Sequence, residues 1–175
     1  MKKIVLSLFF SFIALASVAQ SQHIKFLGIP LGQSYTNFKQ QLLAKGFKYD
    51  GTNEPNWYAF KGTFAGEEVL IGVGVTPKSK KVYSIHVNFK RFTEYSSSSD
   101  VWSKYDEIVE SLKKKYGMPW IVKSKNDNGN YFTHWDVGDN RISLAFFLNY
   151  DYVLTLFYTD VDTQKLGKRE EAMDY

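Results

Sequence analysis

Twice in this chain an apolar helical period runs into lysine and glycine and gives way to a period of two. Behind Ser34, an N-cap residue, Tyr35, Phe38 and Leu42 recur at helical spacing until Lys45 and Gly46. Val101, Tyr105, Ile108, Val109, Leu112 and Tyr116 form a longer stripe that stops at Gly117, with Pro119 barring continuation. The spacing predicts helices over 35–45 and 101–116. The run Lys113-Lys114-Lys115 reads as cations complementing the dipole at a helix end, not as a basic patch.

Three strand-like runs follow each helix: 57–61, 68–76 and 81–89 after the first, 131–137, 141–148 and 152–159 after the second. In the third run Tyr83, Ile85, Val87 and Phe89 oppose Ser84, His86, Asn88 and Lys90, the pattern of a strand buried on one side. Turn residues separate the runs at Ala65-Gly66, Pro77 to Lys80, Gly138-Asp139-Asn140 and Asn149 to Asp151. The fold class expected is α+β. It comprises two helix-plus-three-strand units, 20–92 and 101–160, with antiparallel strands in one or two sheets and helices packed on one face. A serine-rich linker, 93–100, joins the units, and a polar tail, 161–175, follows them, either adding a turn of helix or staying mobile.

Lys2 and Lys3, an apolar run of about 15 residues and the small residues Ser17-Val18-Ala19 have the order of a secretory signal peptide over 1–19. The run is shorter than the roughly 20 residues that span hydrocarbon. A periplasmic or secreted protein without stable membrane insertion is therefore expected. The chain has no cysteine, which excludes disulfides, thiol catalysis and thiolate metal sites together. Beyond the leader, 20 basic residues nearly balance 18 acidic ones, and no field suited to nucleic acid arises.

Leu112, Tyr116, Gly117 and Pro119, followed by Trp135, the 142–148 alternation and 154–158, give the second half the pattern of a known module type. Gly28, Phe38, Leu42 and Gly46 repeat it more loosely in the first half. In these residues the chain resembles tandem helix-plus-three-strand envelope modules: small outer-membrane-assembly lipoproteins and beta-lactamase inhibitory proteins. It lacks the lipid-bearing cysteine of the former and the disulfide cysteines of the latter. The resemblance implies an interaction module.

Candidate chemistry is sparse. His86 and His134 lie on the polar sides of their strands, with Asp136 two residues beyond His134. If the strands were neighbours, these three would suit a metal-dependent enzyme or hydrolase. No Gly-x-Ser-x-Gly elbow occurs. Gly72-x-Gly74 lacks the third glycine of a dinucleotide fingerprint and reads as a close backbone approach within a strand. No cofactor or metal is implied.

Aromatic residues are more informative, since 27 of 30 lie beyond the leader. Phe146, Trp135 and Tyr83 are expected to pack on the helices. Phe132, Phe147 and Phe157 fall on the opposite face and are the candidate binding residues. The leading expectation is an exported, non-enzymatic binding module whose partner is an envelope or extracellular protein or peptide. The alternatives are the enzyme built on His86, His134 and Asp136, and a structural protein that forms homo-oligomers.

Overall fold

The computed structural model describes residues 23–89, 97–147 and 154–173. The expected signal peptide, the first half of the serine-rich linker and the turn at Asn149 to Asp151 lie outside the described residues.

The described residues form an α+β structure dominated by one antiparallel sheet of eight strands. A two-stranded ribbon, β1 (Lys25–Phe26) and β2 (Ile29–Pro30), leads into α1 (Tyr35–Ala44). Then follow β3 (Lys48–Glu54), β4 (Trp57–Phe64), β5 (Glu67–Val75) and β6 (Val82–Asn88). Helix α2 (Ser98–Tyr116) precedes β7 (Ile121–Lys125), β8 (Tyr131–Val137), β9 (Asn140–Phe146) and β10 (Leu154–Thr159), and α3 (Val161–Ala172) closes the order. Across the sheet the strands lie β3-β4-β5-β6-β10-β9-β8-β7.

The helices begin and end where short-range chemistry dictates. The Ser34 hydroxyl accepts from the Asn37 amide at 3.4 Å and caps α1. Ser97 does the same for α2 through the Asp100 amide at 3.3 Å, so the helix starts inside the segment expected as a linker. The two-residue loop Ala65-Gly66, with φ of 51° and 82°, joins β4 to β5 as a tight hairpin.

Alternation sorts each strand onto two faces. On one face Phe60, Ile71, Val87, Leu156 and Leu144 stand in a single cross-strand row and are buried. Helices α1 and α2 both cover this face. Phe38 and Leu42 of α1 are fully buried, and Tyr35 stacks on Tyr58 with centroids 3.9 Å apart. From α2, Trp102 meets Phe146 edge-on at 4.6 Å, and the Tyr105 hydroxyl lies 2.7 Å from that of Thr133 inside the core. Burying such aromatic side chains together with the aliphatic core around them stabilises a chain without disulfides. Trp135, buried as expected, donates its indole N–H to the Gly117 carbonyl at 3.0 Å.

Three features depart from the sequence expectation. Helices α1 and α2 are each followed by four strands, because β3 and β7 precede the runs read from alternation. The segment expected as a polar tail is helix α3, capped by the buried Asp160, whose carboxylate accepts from the Thr163 amide at 2.9 Å. Finally, α3 does not join α1 and α2 on their face. It crosses the sheet end where β6 and β9 begin, with Gly167 against Thr76 and the Glu170 carboxylate accepting from the Lys78 and Ser79 amides at 2.8 and 3.2 Å.

Candidate functional site

The second sheet face carries a continuous line of aromatic rings. Trp57 of β4 meets His86 of β6 at 4.5 Å between centroids, and His86 meets Phe157 of β10 at 4.6 Å. Phe157 then contacts Phe147 at 6.3 Å, and Phe147 contacts Phe132 of β8 at 5.9 Å. Phe132 stacks alongside His134 at 5.7 Å, and His134 alongside Trp120 at 5.8 Å. The line thus runs across the sheet from β4 to the entry of β7. Its members are half-buried except Trp120, which is 56% exposed.

The path over β5 depends on two glycines. Trp57 lies across the β5 backbone to reach His86, and a Cβ on Gly74 would stand 2.9 Å from its indole. Gly72 sits under the same ring at 3.6 Å. The Gly72-x-Gly74 sequence is therefore a close backbone approach, made by an aromatic ring of the neighbouring strand.

Phe132, Phe147 and Phe157, the residues singled out by strand parity, all belong to this line and touch one another in sequence. Parity missed Trp57, His86 and Trp120, because joining them requires cross-strand register. Tyr83 also departs from its expected inward position. A register shift between Gly74 and Val75 places it at a bulge, where its ring meets Trp57 at 6.1 Å, not α1 or α2.

The centre of this face carries little charge. Burial pushes the His86 imidazole down to about 4, so the ring is neutral at physiological pH. His134 is also held below the ordinary histidine range, first by burial and then by Arg141, against the opposing pull of Asp136. Its Nδ1 lies 2.7 Å from the Ser143 hydroxyl. Arg141 pairs with Asp136 at 3.3 Å and lies over the Trp120 ring, 5.9 Å from its centroid. These two charges stand at one end of the line, and the central strands present Asn88, Thr155, Ser143 and Ala145 beside the rings.

His86 and His134 do not come together. They stand in one cross-strand row, but Phe157 and Ser143 occupy the positions between them. Three strand spacings put them about 14 Å apart, beyond shared coordination of one ion. Among the described residues no group of three His, Cys, Asp or Glu side chains is arranged to hold a metal, and no helix is long and apolar enough to cross a membrane.

Comparison with known proteins adds no relative: no family model, curated protein or solved structure matches the chain.

Proposed function

We propose that this protein is an exported, non-enzymatic binding module that docks an envelope or extracellular protein or peptide on its aromatic sheet face. The observation that carries the reading is the unbroken contact line Trp57–His86–Phe157–Phe147–Phe132–His134–Trp120 on the face opposite α1 and α2. Protein interfaces concentrate aromatic residues at a centre depleted of charge, and here the rings occupy the centre while Arg141 stands at one end. The rings favour a protein over a sugar. Phe132, His134 and Trp120 stack with interplanar angles of 8° and 27°, so part of the ring faces a sugar would use is already taken by neighbouring rings.

The sheet edges are poor docking sites by comparison. β7 is irregular between Ile121 and Ser124, with Lys123 at a φ of 45°, and β3 is irregular at two places. Such bulged, lysine-bearing edges resist strand addition. Recognition is thereby left to the face.

The chain reads further as two similar modules, each a helix and four strands. The sheet order supports this: from the centre outward it runs β6-β5-β4-β3 on one side and β10-β9-β8-β7 on the other. The signal-peptide pattern over 1–19 supports a periplasmic or extracellular location.

Affinity capture from envelope and culture-fluid extracts tests the proposal. The wild-type protein should retain a partner that Phe157→Ala and Trp120→Ala each release, with circular dichroism of the variants unchanged. Equal retention by both folded variants, or recovery of no partner, would reject the binding face.

A further inference from the structure

A small cavity of about 110 Å³ opens between α3 and the sheet, lined by Pro77, Tyr83, Gln164, Gly167, Lys168 and Glu171. Residues 164, 168 and 171 recur at one helical stripe, so a single face of α3 delivers the amide, the ammonium and the carboxylate. Gly167 sets the depth: a Cβ there would lie 3.3 Å from Thr76 Cγ2, and the helix therefore comes down onto the sheet. Tyr83 forms the opposite wall. Burial, and then the Glu171 carboxylate beside it, push its phenol up, so the hydroxyl keeps its proton and remains a donor.

Two charges at this cavity are uncommitted. Neither the Lys168 nor the Glu171 side chain makes an ion pair or hydrogen bond with a described residue, although they stand three positions apart on one helix. An anion would meet Glu171 repulsively, and a cation would meet Lys168 in the same way. Both side chains also reach water, so a neutral molecule would gain no attraction from either. A compact molecule bearing both charges answers each of them. The space holds about four water-sized groups, the count of an ammonium, an α-carbon, a carboxylate and one methyl.

We infer that this cavity is a binding site for a small free α-amino acid, its carboxylate facing Lys168 and Gln164 and its ammonium facing Glu171. This site is separate from the aromatic line and does not depend on the docking function proposed for it. Peptide-bonded residues lack one or both charges and would be refused, which distinguishes the site from one that takes a peptide chain.

Titration of isotope-labelled protein with L-alanine, followed by NMR at the Gly167 backbone amide and the Gln164 side-chain amide, tests the inference. Saturable shifts are expected. N-acetyl-L-alanine and L-alaninamide, each missing one charge, should bind at least tenfold more weakly. Lys168→Met and Glu171→Gln are exposed substitutions that preserve the rest of the spectrum, and each should weaken L-alanine at least tenfold. The assignment fails if no saturable shift occurs, if the blocked derivatives bind as well as L-alanine, or if both variants bind it unchanged.

Discussion

Trp57 crosses the β5 backbone directly over Gly74, so closely that a Cβ at that position would stand 2.9 Å from Cη2 of the indole and 3.1 Å from the Tyr83 ring. The neighbouring glycine is less constrained, with its nearest atom 3.6 Å away. Both belong to the same strand and lie under the same ring.

Those distances separate two otherwise equivalent substitutions. Gly72→Ala makes ordinary van der Waals contact and should change stability by less than about 0.5 kcal/mol, the range of a tolerated exchange. Gly74→Ala should cost about 1–3 kcal/mol, because the indole must shift off His86 and Tyr83 blocks the other side. Urea unfolding gives the stabilities, and the indole emission of a variant retaining only Trp57 reports the displacement. Equal costs at the two sites would show that Trp57 moves freely.

His86 makes the protein sensitive to acid. Its native pKa of about 4 lies below the ordinary value of 6.5, so the unfolded chain takes up a proton that the native ring refuses. The stability is whole above pH 6.5 and declines as the pH falls from 6.5 toward 4, by at most about 3 kcal/mol. His86→Gln should flatten that decline relative to wild type in urea titrations at pH 7.5, 6 and 5. Parallel declines in the two proteins would mean that the ring is solvated after all.

Much of the architecture was legible because it is written in alternation. β6 and β9 set mostly apolar residues against polar ones, β5 sets branched residues against glycines, and β8 alternates less cleanly, but the sheet follows all four. β3 and β7 escaped because edge strands need no apolar face: among the described side chains of β3 none is buried, and β7 is exposed from Val122 to Lys125. Helix α3 escaped for a related reason, since its buried positions are Thr163, Gly167 and Glu170, none of them a hydrophobic signal. The aromatic line was half legible. Parity put Phe132, Phe147 and Phe157 on one face, but the gap between His86 and His134 is a matter of strand order, which local pattern does not encode.

Gly117 is more than the left-handed terminator that the sequence suggests. Its φ of 82° is paired with a ψ of −167°, a region open essentially to glycine alone. No atom lies within 4 Å of a Cβ placed there, so any penalty comes from the backbone and not from crowding. Gly117→Ala should cost about 1–3 kcal/mol and should loosen Trp135, whose indole is held by the Gly117 carbonyl. Thermal unfolding and the near-ultraviolet dichroism of Trp135 check both effects. A neutral substitution would show that the helix end relaxes into an ordinary conformation.

Glu170 anchors α3 to the turn between β5 and β6, and its charge does the anchoring. Burial acts to raise its pKa, but hydrogen bonds from the Ser79 side chain and from the Lys78 and Ser79 amides outweigh that and hold the carboxyl below its usual range. The stability it contributes is present above the ordinary carboxylate pKa and is lost as the pH falls through the depressed native value. Glu170→Gln keeps the shape and removes the charge, weakening these charge-assisted bonds. It should therefore destabilise the protein at pH 7 by about 1–3 kcal/mol, the cost of compromising a buried hydrogen-bonded charge. The difference from wild type should shrink once the pH drops low enough to protonate the native carboxyl. Hydrogen exchange localises the effect: the α3 amides should lose protection first, while those of β9 and β10 keep theirs. If β9 and β10 open together with α3, the helix is a cooperative part of the sheet and not a clasp across its end.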